Sequence, residues 1–218
     1  TKFTDIFKKS MRKVIFIGLI VGVFQQIVGI NAVLFYAPMI FEQTGIGTDA
    51  SFIQAALVGV TNLAFTVVAI LTIDKFGRKP LIYIGSIGMI VGFLLLGITL
   101  QQQSVGFLSL LGVLIFIGSF ALSMGPVVWV LLSEMFPNRI RSVAMSVAVA
   151  AQWAANYVVS QSFPVVMDSE LNNGAIWNGS LPYFIFIAFI LLIMLLTYKY
   201  IPETKGKSLE EIEGFWKA

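Results

Sequence analysis

Histidine and cysteine are both absent from this chain of 218 residues. The first absence removes the commonest metal ligand and general base; the second removes disulfide frameworks and thiolate metal sites. Charge is scarce as well, at 11% of residues, where a soluble domain carries about 25%. With 58% hydrophobic residues, no soluble fold of this length could hide the apolar surface. No cleavable signal peptide precedes the first apolar run, because TKFTDIFKKSMRK is polar, basic and amphipathic. A start at Thr1 rather than Met suggests a fragment or a processed product.

What the chain has in quantity is apolar length. Six runs, at about 14–37, 52–73, 81–100, 106–133, 142–164 and 181–200, can each cross roughly 30 Å of hydrocarbon as a helix. All 14 Lys and Arg residues fall on one side of these runs. Lys2, Lys8, Lys9, Arg12 and Lys13 precede the first; Lys75, Arg78 and Lys79 join the second to the third. Arg139 and Arg141 join the fourth to the fifth, and Lys199, Lys205, Lys207 and Lys217 close the chain. By the positive-inside rule both termini are cytoplasmic. The net charge of +3 therefore reflects basic loops against an anionic leaflet, and no nucleic-acid partner is expected.

Inside the runs a further absence is informative: no acid or base lies at mid-depth. Asp74 and Glu134 sit at cytoplasmic ends, and Glu42, Asp49, Asp168 and Glu170 are in or beside outer loops. A charge at the bilayer centre costs about 2.5–3.5 kcal/mol on insertion scales and usually marks an ion or proton path. This chain by itself offers no such carrier, no voltage sensor and no charged selectivity ring.

Uncharged amides and indoles take that place: Gln25, Gln26, Asn31, Asn62, Trp129, Gln152, Trp153 and Asn156. Amides donate and accept, as hydroxyls do, and an indole offers a flat apolar face plus one N–H. Neutral amides beside aromatics suit an uncharged polyol. A lone amide also reads as interhelical glue, worth about 0.6 kcal/mol, and that alternative stands above all for Asn156 and Gln161. Gln25 and Gln26 lie about 100° apart on a regular helix and cannot both face one neighbour. Gly29, just beyond them, can loosen the helix so that Asn31 converges with both. Gln152, Asn156 and Ser160 form an i, i+4, i+8 stripe that must face protein or water. Gly125-Pro126 interrupts the fourth run as a hinge or as a fixed packing kink. Small residues at Gly85, Gly88 and Gly92 could serve close contact with a second copy or packing within one bundle.

On the cytoplasmic side Asp74, Lys75, Arg78 and Lys79 share a short loop, with Glu134, Arg139 and Arg141 nearby in topology. Exposed pairs are worth about 0–1 kcal/mol each, but a network present in one conformation only can bias an equilibrium. Serving topology alone is the other reading of the three basic loop residues. After Pro202-Glu203-Thr204-Lys205-Gly206, Ser208 and Glu211 are spaced as a capping box that opens a short amphipathic helix through Ile212, Phe215 and Trp216.

Five stretches, FQQIVGINAVLFYAP (24–38), IDKFGRKP (73–80), GPVVWVLLSEMFPNRIR (125–141), AAQWAANY (150–157) and PETKGKSLEEIE (202–213), together resemble the C-terminal half of a sugar porter of the major facilitator superfamily. Within it, GPVVWVLLSEMFPN and AAQWAANY are most similar to the bacterial xylose–proton symporters. The resemblance implies an all-α membrane protein whose six transmembrane helices form the C-terminal domain of a major facilitator fold, with short cytoplasmic amphipathic helices. Residues 1–13 would be a cytoplasmic arm, 14–201 the six-span domain and 202–218 a tail helix, in a bacterial inner (plasma) membrane. It implies a monosaccharide as substrate and an N-terminal six-helix half as partner, with no cofactor. Carried over by motif, Gln25, Gln26, Asn31, Asn62, Gly125, Trp129 and Gln152 would contact the sugar. Asp74, Arg78, Glu134 and Arg141 would form the cytoplasmic cluster that closes the outward-facing state. Phe35-Tyr36 stands where the family usually has Tyr-Tyr at the outer gate. A proton-coupling acid and its arginine partner belong to the N-terminal half in this family, so their absence leaves coupling open.

No enzymatic activity is expected: there is no His, no Cys and no embedded acid pair, and Ser133 and Ser146 lack a basic partner at depth. The alternatives to a transporter half are a non-transporting sugar-binding receptor and a self-associating half.

Overall fold

The computed structural model describes residues 11–45, 51–208, 210–212 and 214. Their regular structure is helical throughout: α1 (Arg12–Ile27), α2 (Ile30–Phe35), α3 (Ala37–Gln43), α4 (Ser51–Phe76), α5 (Arg78–Gln101), α6 (Phe107–Leu122), α7 (Met124–Met135), α8 (Arg141–Met167), α9 (Glu170–Asn173) and α10 (Leu181–Tyr200). Among the described residues, six segments are long and apolar enough to cross a membrane, one for each run expected from the sequence: Arg12–Phe35, Ile53–Phe76, Arg78–Gln101, Phe107–Met135, Arg141–Met167 and Leu181–Tyr200. The chain is an integral membrane protein.

Two of the six are interrupted, the first between α1 and α2 and the fourth between α6 and α7. Prolines elsewhere sit where a missing N–H costs little, in the first turn of α3, α5 and α10 or, for Pro137 and Pro202, outside the helices. The exception is Pro164, inside α8; the helix continues past it to Met167, three residues beyond the expected end.

α5 is held between α6 and α10, while α1 packs on α7, α8 and α10. The α5–α6 contact brings backbones together. A Cβ on Gly92 would lie 2.6 Å from the Gly112 carbonyl oxygen, and one on Gly88 would run into Ser119. The small-residue stripe is thus used within the bundle, in favour of the packing reading. Beside it runs a chain of ring contacts that ties four helices and the α2–α3 junction: Phe116 to Phe93 at 4.0 Å, Phe93 to Phe186 at 5.6 Å, Phe186 to Phe163 at 6.1 Å and Phe163 to Tyr36 at 5.4 Å. Such pairs add about 0.5–1.5 kcal/mol each beyond area burial.

α4 differs from the rest. Only 11% of its apolar window is buried, against 67% for the first span. Its surface, which includes Leu63, Ile70 and Leu71, faces outward for lipid or for another helix layer.

After α10, residues 210–212 and 214 are helical, and Ile212 is buried. The reciprocal bonds of a capping box are present: Glu211 N donates to Ser208 Oγ at 3.3 Å, and Ser208 N to Glu211 Oε2 at 2.7 Å. Residues 1–10 of the expected arm, Asp49, and Phe215 and Trp216 of the tail helix lie outside the described residues.

Candidate functional site

The two interruptions meet at mid-bundle. α1 ends at Ile27, and Gly29 takes φ +90°, a left-handed conformation that favours glycine. A Cβ there would also lie 2.6 Å from the Phe186 ring. The turn re-aims the chain so that Asn31 Nδ2 donates to Gln26 Oε1 at 2.7 Å. Residues five apart on an unbroken helix sit roughly 140° around the axis; the break is what brings these two amides together.

The fourth span breaks at Ser123, three residues ahead of Pro126, which has no N–H to offer the Leu122 carbonyl four residues back. Gly125-Pro126 therefore lies in the first turn of α7 rather than in the break. Gln25, expected beside Gln26 and Asn31, reaches this second break instead: its Nε2 donates to Met124 O at 3.1 Å and to Gly125 O at 3.0 Å.

Along α8, Gln152, Asn156 and Ser160 are all buried, with Gln152 only 2% exposed. Ser160 Oγ donates to Asn156 Oδ1 at 3.1 Å. Gln152 Oε1 is buried without a hydrogen-bond partner. The Tyr36 hydroxyl donates to Ser160 O at 3.2 Å and fixes the outer end of the first span to α8. Its neighbour Phe35 stays 58% exposed, and Trp129 is 41% exposed. Asn62 lies on the exposed surface of α4, and Gln161 is exposed on α8.

The remaining hydrogen-bond capacity defines what this region can do. Gln25 retains its acceptor, Gln26 its amide donors, Asn31 its acceptor and one donor, and Gln152 an unmatched acceptor. Neutral donors and acceptors of this kind can pair with hydroxyl groups, and they present no fixed charge. The Ser133 and Ser146 hydroxyls are turned onto carbonyls of their own helices, Val130 O at 2.7 Å and Ser142 O at 3.0 Å.

At the end of the bundle that carries the α4–α5 corner, Arg78 holds Glu134 bidentately, Nη2 to Oε1 at 2.7 Å and Nε to Oε2 at 3.1 Å, and reaches Asp74 at 3.1 Å. The Arg78 side chain is 9% exposed and that of Asp74 83%, so the Glu134 pair dominates. Arg141 bonds the Phe136 carbonyl through Nε at 3.2 Å, while its Nη2 is buried without a partner.

Two residues outside the expected cluster complete it. The Glu203 carboxylate accepts from Arg78 N at 3.1 Å, Lys79 N at 2.9 Å and Lys205 N at 2.9 Å, and so caps the start of α5. Thr204 Oγ1 donates to Glu134 Oε2 at 2.6 Å. Burial pushes the Glu203 carboxyl up, but the backbone donors of Lys205, Arg78, Lys79 and Thr204 outweigh it and hold it below the usual glutamate range. The PETKG stretch was visible in the sequence; the α5 start that it caps lies about 125 residues earlier, and nothing in local spacing links them.

The chain is 50% identical over 204 residues to the D-xylose-proton symporter of Escherichia coli, an alignment that covers 94% of this chain and 41% of that protein. It is 44% identical over 205 residues to the glucose facilitated diffusion protein of Zymomonas mobilis, covering 94% and 43%. The solved proton:xylose symporter XylE bound to 6-bromo-6-deoxy-D-glucose superposes with a TM-score of 0.83 at 50% identity, over 94% of this chain and 43% of that one. The chain thus spans about two-fifths of the length of these relatives, which are named as transporters. With residues 2–216 matching the sugar (and other) transporter family, a six-span helical bundle of the major facilitator fold belongs to that family.

Proposed function

We propose that this chain is the C-terminal half of a monosaccharide carrier that works by alternating access, with a pentose or hexose as substrate and xylose favoured. The observation that carries this reading is the amide pair Gln26–Asn31 at a helix break, in a chain whose α8 carries the unmatched Gln152 acceptor and whose α7 carries the exposed Trp129. Gln25, Gln26, Asn31, Asn62, Gly125, Trp129 and Gln152 contact the sugar. The amides match its hydroxyls, and the indole stacks on its C–H face.

Each open face has a role in this scheme. The exposed Asn62 and Trp129 await a second wall, supplied by an N-terminal six-helix half of the same transporter. Phe35 closes the outer mouth, and Tyr36, tied to Ser160, anchors it. Asp74, Arg78, Glu134 and Arg141 hold the cytoplasmic side shut in the outward-facing state; in this chain Arg141 Nη2 is buried without a partner. Both termini are cytoplasmic, and the membrane is a bacterial inner membrane. Residues 1–13, 14–201 and 202–218 serve as arm, sugar-contact domain and tail helix. With no ionisable side chain at mid-depth here, any proton coupling resides in the other half.

The test is calorimetric titration of D-xylose and D-glucose into the purified chain, alone and with the N-terminal half, against a Gln26→Ala/Trp129→Ala variant. Saturable binding that the variant loses supports the reading. Absence of binding by both folded preparations overturns it.

A further inference from the structure

Gln25 is the one amide of the first span whose donors are directed at a different span. Both N–H bonds of Nε2 go to backbone oxygens 99 and 100 residues away, those of Met124 and Gly125. The side chain is 6% exposed, and it leaves α1 two residues before that helix ends. Its acceptors are the first two residues of α7, directly after the Ser123 break. A single buried amide therefore joins the two interruptions in the bundle.

We infer that Gln25 is a positioning residue that clamps the start of α7 to the end of α1, so that the tilt of α7, and with it the orientation of Trp129, follows the α1–α2 break. The reason is the cost of an unpaired buried N–H. If α7 moves away, Gln25 must move with it, or another oxygen must replace the two carbonyls. The hydroxyl oxygens of the polyol proposed above are acceptors of that kind, and this last step rests on that proposal. Sugar bound at Gln25 would then release α7, and its absence would leave α7 held. A side chain that served only as a sugar contact would not need both donors committed to distant backbone.

The geometry around the clamp agrees with this assignment. α7 is short, begins at a break and carries Pro126 in its first turn, so its attachment to α6 is weak in backbone hydrogen bonds. On the opposite side, Gly29 and the Phe186 ring it abuts fix where α1 ends. The clamp thus links a rigidly set joint to a loosely set one.

The test is hydrogen–deuterium exchange on the full chain in detergent without sugar, comparing wild type with Gln25→Leu and Gln25→Glu. Leucine removes both bonds at similar volume; glutamate retains the shape but replaces the donors. Loss of two such bonds should speed exchange of the α7 amides roughly fivefold or more in both variants, with α5 exchange unchanged as the sign of an intact bundle. Adding D-xylose to wild type should speed the same α7 amides. Unchanged α7 exchange in both sugar-free variants overturns the clamp, whatever happens to sugar affinity. Faster α7 exchange with unaltered D-xylose affinity upholds the clamp and removes Gln25 from the sugar site instead. Should α5 also exchange faster in a variant, the distance between spin labels on α1 and α7 decides, and an unaltered distance overturns the proposal.

Discussion

The α4–α5 corner of the bundle and its middle are both built from polar groups, and they differ in how fully those groups are used. At that corner Glu203 takes three backbone donors, Arg78 takes both oxygens of Glu134, and Thr204 adds a third contact to the same carboxylate. At mid-bundle the Gln152 acceptor is unmatched, the Gln26 donors are unspent, and Trp129 and Asn62 face outward. Apart from the unpartnered Arg141 Nη2, the first region closes on itself within this chain and holds four segments together: the end of α4, the start of α5, the end of α7 and the tail. The second is complete only with something added. A saturated network stabilises; an unsaturated one is available for binding.

The hardest way to break this comparison is to remove the centre of the saturated region. Arg78→Ala leaves Glu134 with Thr204 alone and frees the α4–α5 corner. Breaking a mostly buried pair from one side costs about 3 kcal/mol or more, so thermal unfolding in detergent should begin well below that of wild type. A small shift would mean that the corner network is as incomplete as the middle.

Gly77→Ala should come next. Gly77 holds φ +96°, and a Cβ there would lie 2.9 Å from Glu203 Oε2. Backbone strain of this kind costs on the order of 1–3 kcal/mol, and pushing the carboxylate off the α5 start adds to it. Stability equal to wild type would show that the Glu203 cap is dispensable.

Glu203→Gln tests the charge of that cap with its shape retained, and a carboxylate at a partly exposed helix start is worth about 0.3–1 kcal/mol. Here pH gives the sharper reading. The folded carboxyl titrates below the ordinary glutamate value of 4.5, so its contribution is complete above that pH and is lost as pH falls through the lowered folded value. Acid unfolding of Glu203→Gln should show a shallower pH dependence than wild type across that window. Identical profiles would exclude Glu203 as a source of acid sensitivity.

Gln26→Leu should do least to the fold, about 0.6 kcal/mol, the average for an amide contact between membrane helices. Its effect on ligand should be far larger than its effect on stability: at least tenfold weaker D-xylose binding at nearly unchanged unfolding temperature. The reverse pattern would turn the Gln26–Asn31 pair into helix glue and dissolve the distinction between the two regions.

Much of this was legible in the residues. Apolar run length set the six spans, because each helix must satisfy its own backbone in hydrocarbon. The Ser208–Glu211 capping box followed from local spacing, and Gly29 marked a break because glycine alone accepts its φ without strain. The small-residue stripe at Gly85, Gly88 and Gly92 was ambiguous until α6 was seen against it. Where the polar side chains point was less legible. Gln25 and Gln26 are chain neighbours with opposite assignments, one to α7 and one to Asn31. Arg141 was grouped with the acids by its position, yet its Nε bonds a carbonyl of its own corner.

The sequence by itself therefore determined the class of the molecule: six apolar spans, basic residues on one side, neutral amides at depth and no Asp, Glu, Lys or Arg among them. These follow from the solvent, since a bilayer selects residues by position along its normal, and that coordinate runs along the chain. Only the tertiary structure decided which amide meets which, that Glu203 and Thr204 close the α4–α5 corner, and that α4 is left outside the bundle's core. Those outcomes depend on which helix faces lie together, and hydrogen bonds between residues about 70 to 125 positions apart leave no mark in local spacing.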